Sequence, residues 1–173
     1  YIMRLLAARR TRRWSYRLLL TPETIGPIAI FFLAPYLFEK VVGGYTFVNL
    51  ADRSETFHYR QSRSGNTVAD VAMVHSLKYC GAKYSVEVYD VKTGTCGNEK
   101  AYNSLGIEVP IGSFRRSHLG AYPEYDTSKD DLSFVSRQSL FESFQAAWGA
   151  VEALERTRVL KHNFVGEPFL TGY

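Results

Sequence analysis

Between Ile25 and Phe38 runs a stretch of 14 residues without one charged side chain, apolar on every face. A helix lying on a protein surface confines its apolar residues to one stripe, so this stretch has to be covered all round. Helix signals flank it. Thr21 suits an N-cap, Pro22 the first helical position, where its missing N–H would have no partner anyway, and Glu23 the positive end of the helix dipole. Lys40 falls in a last turn, and Gly43 with Gly44 can supply the left-handed conformation that closes a helix. The 21 residues from Pro22 to Val42 would rise about 31 Å, close to the roughly 30 Å hydrocarbon core of a bilayer. Pro27 and Pro35 would each cost a water-soluble helix about 3 kcal/mol, yet membrane helices tolerate them. Trp14, Tyr16, Tyr36, Tyr45 and Phe47 stand where interfacial aromatic belts form. Residues 22–42 therefore read as a kinked transmembrane helix, with Glu39 and Lys40 in its final turn. The competing readings are a core helix of a soluble α-protein and a signal peptide, the latter opposed by the absence of a small-x-small cleavage site.

The charge distribution supplies an orientation. The formal charge of +4 over 173 residues is carried by an arm: residues 1–20 hold six arginines and no acid, and the remainder is mildly acidic. A nucleic-acid-binding body would need a basic face, so nucleic acid is not an expected partner. The arm, residues 1–21, resembles a mitochondrial targeting segment in its arginines and lack of acid, without the usual serines. Interleaved with Leu, Ile and Trp, it is expected to lie on an anionic leaflet, with Arg9, Arg10, Arg12 and Arg13 as lipid-binding residues and cardiolipin as a natural lipid. The positive-inside rule keeps the arm inside. The missing Asn-x-Ser/Thr acceptor favours a mitochondrial over a secretory setting.

Residues 45–162 read as a small α+β domain. Tyr45–Leu50 and Thr56–Gln61 are strand-like and could pair. Thr67 can cap a short helix carrying Val68, Val71 and Val74. Residues 84–91 alternate best as a strand, and Ile107–Ile111 offers another, interrupted by Pro110. The strongest helix carries Leu140, Phe144, Ala147, Val151 and Leu154 on one stripe, with Ser139 and Glu142 as a capping box. The tail, 163–173, keeps five apolar residues without periodicity and is expected to lie along its own domain or a neighbour.

No catalytic constellation stands out. Cys80 and Cys96 flank the best strand, which would hold them too far apart for a simple disulfide. A zinc set of His75, Cys80, Cys96 and either His58 or His118 has suitable donors, but no CxxC or HxxxH spacing ties any two together. A Cys80–histidine nucleophile has the same weakness. There is no GxSxG, P-loop or dinucleotide fingerprint. The site expectation is accordingly no catalytic, cofactor-binding or metal residue, and no enzyme.

The layout of basic arm, single span, small α+β extramembrane domain and apolar tail resembles that of single-span accessory subunits of mitochondrial respiratory-chain complexes and ATP synthase. That resemblance implies a non-catalytic role in assembly and stability. The chain would sit in the mitochondrial inner membrane, N-terminus in the matrix and domain in the intermembrane space, with other subunits of a large membrane complex as partners. The alternatives are a membrane-tethered enzyme with a lumenal or periplasmic domain, and a soluble binding domain.

Overall fold

The computed structural model of the chain describes residues 1–22, 25–80, 84–93, 97–158 and 166, with Cys80 as backbone alone. Its elements in order are α1 (Ile2–Ala8), α2 (Ile25–Leu33), a 3-10 turn (Pro35–Leu37), β1 (Gly44–Phe47), β2 (Thr56–Arg60), α3 (Val68–Cys80), β3 (Ser85–Tyr89), α4 (Glu99–Tyr102), β4 (Ile111–Arg115) and α5 (Arg137–Arg156). The four strands form one mixed sheet in the order β1-β4-β2-β3. β1 runs parallel to β4, β4 antiparallel to β2, and β2 parallel to β3. β1 and β2 were expected to pair as neighbours in sequence, but β4 is inserted between them. The hydrogen bonds that decide this come from residues more than fifty positions away.

One sheet face is apolar and carries the core. Phe57 and Tyr59 of β2 and Phe114 of β4 meet Met73 and Leu77 of α3 and Ala146, Ala147 and Ala150 of α5. Alanine and serine let the two helices approach closely, and Ser76 Oγ donates to the Ala146 carbonyl at 2.6 Å across that seam. Val68 and Val71, two of the valines the helix was expected to carry, face outward, while Ala69, Ala72, Met73 and Leu77 are buried. Thr67 does cap α3: its Oγ1 accepts from the Asp70 N–H at 3.1 Å and donates to Asp70 Oδ2 at 2.6 Å. Asp70 Oδ1 also accepts from the Tyr59 hydroxyl and the Ser62 N–H, each at 2.8 Å. In α5 the cap is Ser136, whose side chain accepts from the Ser139 N–H, so the helix starts a turn before the expected box. Glu142 instead bonds Arg116, whose guanidinium lies 4.8 Å from the ring centres of both Phe57 and Tyr84.

The single-span architecture is overturned. Among the described residues no helix is long and apolar enough to cross a membrane. α2 has nine residues and rises only about 14 Å, less than half a bilayer core. Pro35 is the reason. Its ring disfavours the helical conformation at the residue before it, and Ala34 sits at φ −148°, ψ 57°, where the chain turns. Phe31 and Phe38 then fold onto each other, with ring centroids 4.3 Å apart, and both pack against Tyr102 of α4. The basic arm is likewise part of the fold. Leu6 is buried, the Tyr1 ring meets Phe144 edge-on at 5.1 Å, and Arg9 is ion-paired to Glu152 and Glu155 of α5. Arg10, Arg12 and Arg13 remain exposed. The tail expectation for 163–173 lies outside the described residues, apart from Gly166.

Between the arm, the segment 37–50 and the stripe Leu140, Phe144, Val151 and Leu154 of α5 opens a largely apolar cavity of about 1700 Å³.

Candidate functional site

Side chains alternate between the two faces of a strand, and residues in register on neighbouring strands share a face. With Phe57 and Tyr59 committed to the core, His58 and Arg60 must point to the opposite face. The register places His58 beside Glu87 and Arg60 beside Tyr89 on β3, and pairs His58 with Arg115 on β4. The second face of the sheet is therefore polar, carrying His58, Arg60, Glu87, Tyr89, Ser113 and Arg115. His118 joins them from the loop just after β4.

These residues fall into two groups. Toward α4 the face is sealed. Glu99 is fully buried, and its Oε1 lies 3.3 Å from Arg115 Nη2 and 3.6 Å from Arg60 Nη1, while also accepting from the Gly97 N–H at 2.9 Å. A carboxylate and two guanidiniums taken out of water hold together only through such pairing. Toward the solvent the face is open. The Tyr89 hydroxyl lies 3.2 Å from His58 Nδ1 and 3.2 Å from His118 Nε2, and it donates to Glu87 Oε2. His58 Nδ1 is also 3.4 Å from Glu87 Oε2, and the two imidazole centroids are 4.1 Å apart. His58 is only 8% exposed, whereas Glu87 reaches solvent. Burial, followed by the neighbouring His118, holds His58 below the ordinary histidine range, with Glu87 pulling the other way. Behind the pair, buried Asp52 accepts from Ser117 Oγ at 2.8 Å and from the Ser54 N–H at 2.9 Å; its Oδ2 accepts no hydrogen bond from the described residues. Two imidazoles, a carboxylate and a phenol thus converge at one solvent-facing point. This donor set can exchange protons or coordinate a cation.

The fold and this geometry can be set beside known proteins. A family model described as a domain of unknown function, DUF4910, matches residues 1–157. The chain belongs to the DUF4910 family. A protein of Clostridium acetobutylicum, provisionally named for polysaccharide biosynthesis with an aminopeptidase-like domain, is 27% identical over 158 residues, covering 91% of this DUF4910 chain and 35% of its own length. A crystal structure from the same organism, provisionally titled a peptidase, superposes with a TM-score of 0.82 at 26% identity over 98% of this chain and 39% of that one. The LapA aminopeptidase of Legionella pneumophila shares the fold over 78% of this chain and 36% of its own, with a TM-score of 0.58 at 11% identity. The chain thus spans little more than a third of the proteins it matches.

These findings correct the expected role. Relatives of the DUF4910 chain are bacterial peptidase-like proteins, and no described helix can span a bilayer. The accessory subunit of a mitochondrial respiratory-chain complex, and its inner-membrane placement with the N-terminus in the matrix, are overturned by them. The residues singled out from sequence are dispersed. His58 and His118 come together, but His75 lies on the exposed side of α3, its ring tilted against Tyr79 with centroids 4.7 Å apart. The Cys80 side chain and Cys96 lie outside the described residues, and the disulfide and Cys-based site expectations with them. Arg9 is engaged by α5, while Arg10, Arg12 and Arg13 line a small polar cavity with Tyr16. Sequence reasoning missed Glu87 and Tyr89. The alternation of residues 85–89 put both on one face, but only the register sets that face beside His58.

Proposed function

We propose that this chain is the aminopeptidase-like segment of a hydrolase acting on peptide-type amide bonds, with substrate meeting the protein at the open end of the polar sheet face. The observation that carries this reading is the superposition of 98% of the chain, at a TM-score of 0.82, on a protein provisionally titled a peptidase. The site chemistry supports it. Amide hydrolysis needs a group to take a proton from water and another to return it to the leaving amine, held within hydrogen-bond reach of one point. His58, His118, Tyr89 and Glu87 are such groups at such a point.

The test is release of aminomethylcoumarin from a panel of aminoacyl-coumarin amides by the purified chain, with the longer Clostridium relative assayed in parallel. Turnover by this chain is expected, falling roughly 100-fold or more in His118→Gln and Tyr89→Phe, the scale of lost acid–base assistance. Cleavage by the relative with none by this chain would remove hydrolysis from this segment.

A further inference from the structure

We propose that His58, Glu87 and His118 form a binding site for a divalent transition metal of the zinc type. The assignment rests on the hydrolytic reading only in sharing its location; its argument is the geometry of the three donors. His58 Nδ1, His118 Nε2 and a Glu87 carboxylate oxygen all lie within 4.8 Å of one another. Zinc bonds of roughly 2.0–2.1 Å at tetrahedral angles set neighbouring ligand atoms about 3.4 Å apart. The His58–Glu87 separation is already 3.4 Å. The remaining closure falls to Glu87 and His118, the two less buried side chains, which can swing inward without moving the sheet.

The chemistry of the donors selects the cation. Two imidazoles with one carboxylate suit zinc and its neighbours, whereas calcium and magnesium take oxygen ligands. Three protein ligands also leave a position open, the pattern of metal sites that hold water or substrate. The Tyr89 hydroxyl, 3.2 Å from each nitrogen and donating to Glu87, stands among the three donors, so a bound ion takes its place as their common partner and the phenol turns aside or adds a fourth oxygen.

The backbone has preassembled the site. His58 and Glu87 are register partners in parallel strands, and His118 follows Arg115, the register partner of His58 on its other side. Holding the three together therefore asks for little further ordering. The local charge is favourable as well. Glu87 supplies an acidic side chain, and Asp52, which acts electrostatically on His58, has a buried oxygen that accepts no hydrogen bond among the described residues. Arg115, the register partner of His58, has its own counter-charge, with Nη2 3.3 Å from both Glu99 Oε1 and Ser113 Oγ.

The experiment is calorimetric titration of the metal-stripped full chain with zinc, paired with cobalt(II) absorption as a coordination readout. One equivalent should bind, and cobalt should give the intense visible bands of a low-symmetry site with nitrogen donors. Glu87→Gln and His118→Gln should each weaken zinc by about 100-fold, since even the loss of an outer partner of a ligand costs about 10- to 100-fold. Because His58 is buried, circular dichroism of His58→Gln separates loss of metal from loss of fold. His75→Gln and the double change Cys80→Ser with Cys96→Ser should bind as the wild type does. Absence of zinc and cobalt uptake by the wild type overturns the proposal. So does wild-type affinity in both Glu87→Gln and His118→Gln, or loss of binding in the cysteine variant. Zinc uptake without hydrolysis would uphold the metal site and defeat the hydrolytic reading, while chelator-resistant hydrolysis without uptake would do the reverse.

Discussion

Among the described residues, the apolar cavity and the open end of the polar sheet face are regions of opposite character. The cavity between the arm and α5 is large, about 1700 Å³, and walled mainly by aliphatic and aromatic side chains. The open end of the polar sheet face instead gathers His58, Glu87, Tyr89 and His118 within hydrogen-bond reach. Volume and chemistry have separated. Apolar surface is plentiful here because α2 and the α5 stripe are greasy on more sides than their packing uses. The polar cluster needs side chains from three elements to meet, which only a sheet in one register arranges.

The sharpest way to break this contrast is to attack the sealed half of the polar face. Glu99→Gln leaves Arg60 and Arg115 buried without their shared carboxylate, and a cost of about 3–5 kcal/mol in urea unfolding is expected. A cost near zero would mean that this face is not held by its ion pairs, and the contrast with the apolar side would fail.

A smaller effect, on the core side of the same sheet, is expected from Asp70→Asn, which mismatches the donors Tyr59, Ser62 and Thr67 and should cost about 3 kcal/mol or less. This site also carries a pH signature. Burial alone would raise the Asp70 carboxyl, but hydrogen bonds from Ser62, Thr67 and Tyr59 outweigh it and hold the group below the ordinary range. A carboxyl depressed on folding stabilises the protein above its unfolded value, near about pH 4, and that stability is lost as the pH falls through the lower folded value. Melting temperatures of wild type and Asp70→Asn should therefore differ most at neutral pH and converge below about pH 4.

The smallest effect is expected on the apolar side. Phe32 and Leu33 of α2 are 82% and 83% exposed, so Leu33→Ser should change stability by no more than about 0.5 kcal/mol. It should also leave zinc affinity untouched. A large loss of either would show that the apolar side and the polar cluster are coupled, and the separation drawn above would no longer stand.

How much of this was legible before folding differs by residue. The capping of α3 by Thr67, a strand within residues 84–91 and the existence of α5 follow from local rules of hydrogen bonding and periodicity, and each is present. The supposed span misled because hydropathy records what a segment would prefer to touch, not what it finds. Pro35 ends α2 early, and Tyr102 supplies aromatic cover that a linear reading could not place. The candidate site was half visible. His58 and His118 were singled out by type, as alternatives in a set with His75 and the cysteines, and no spacing along the chain pointed to Glu87.

By itself the sequence determined which residues alternate, that helices form after Thr67 and over the α5 stripe, and that an excess of apolar surface had to be accommodated. Tertiary structure alone decided that β4 enters between β1 and β2, that Tyr102 covers Phe31 and Phe38, and that His58 stands beside Glu87. The physical reason is range. Capping and periodicity are settled among residues a few positions apart, whereas strand register is set by hydrogen bonds and core packing between segments distant in the chain.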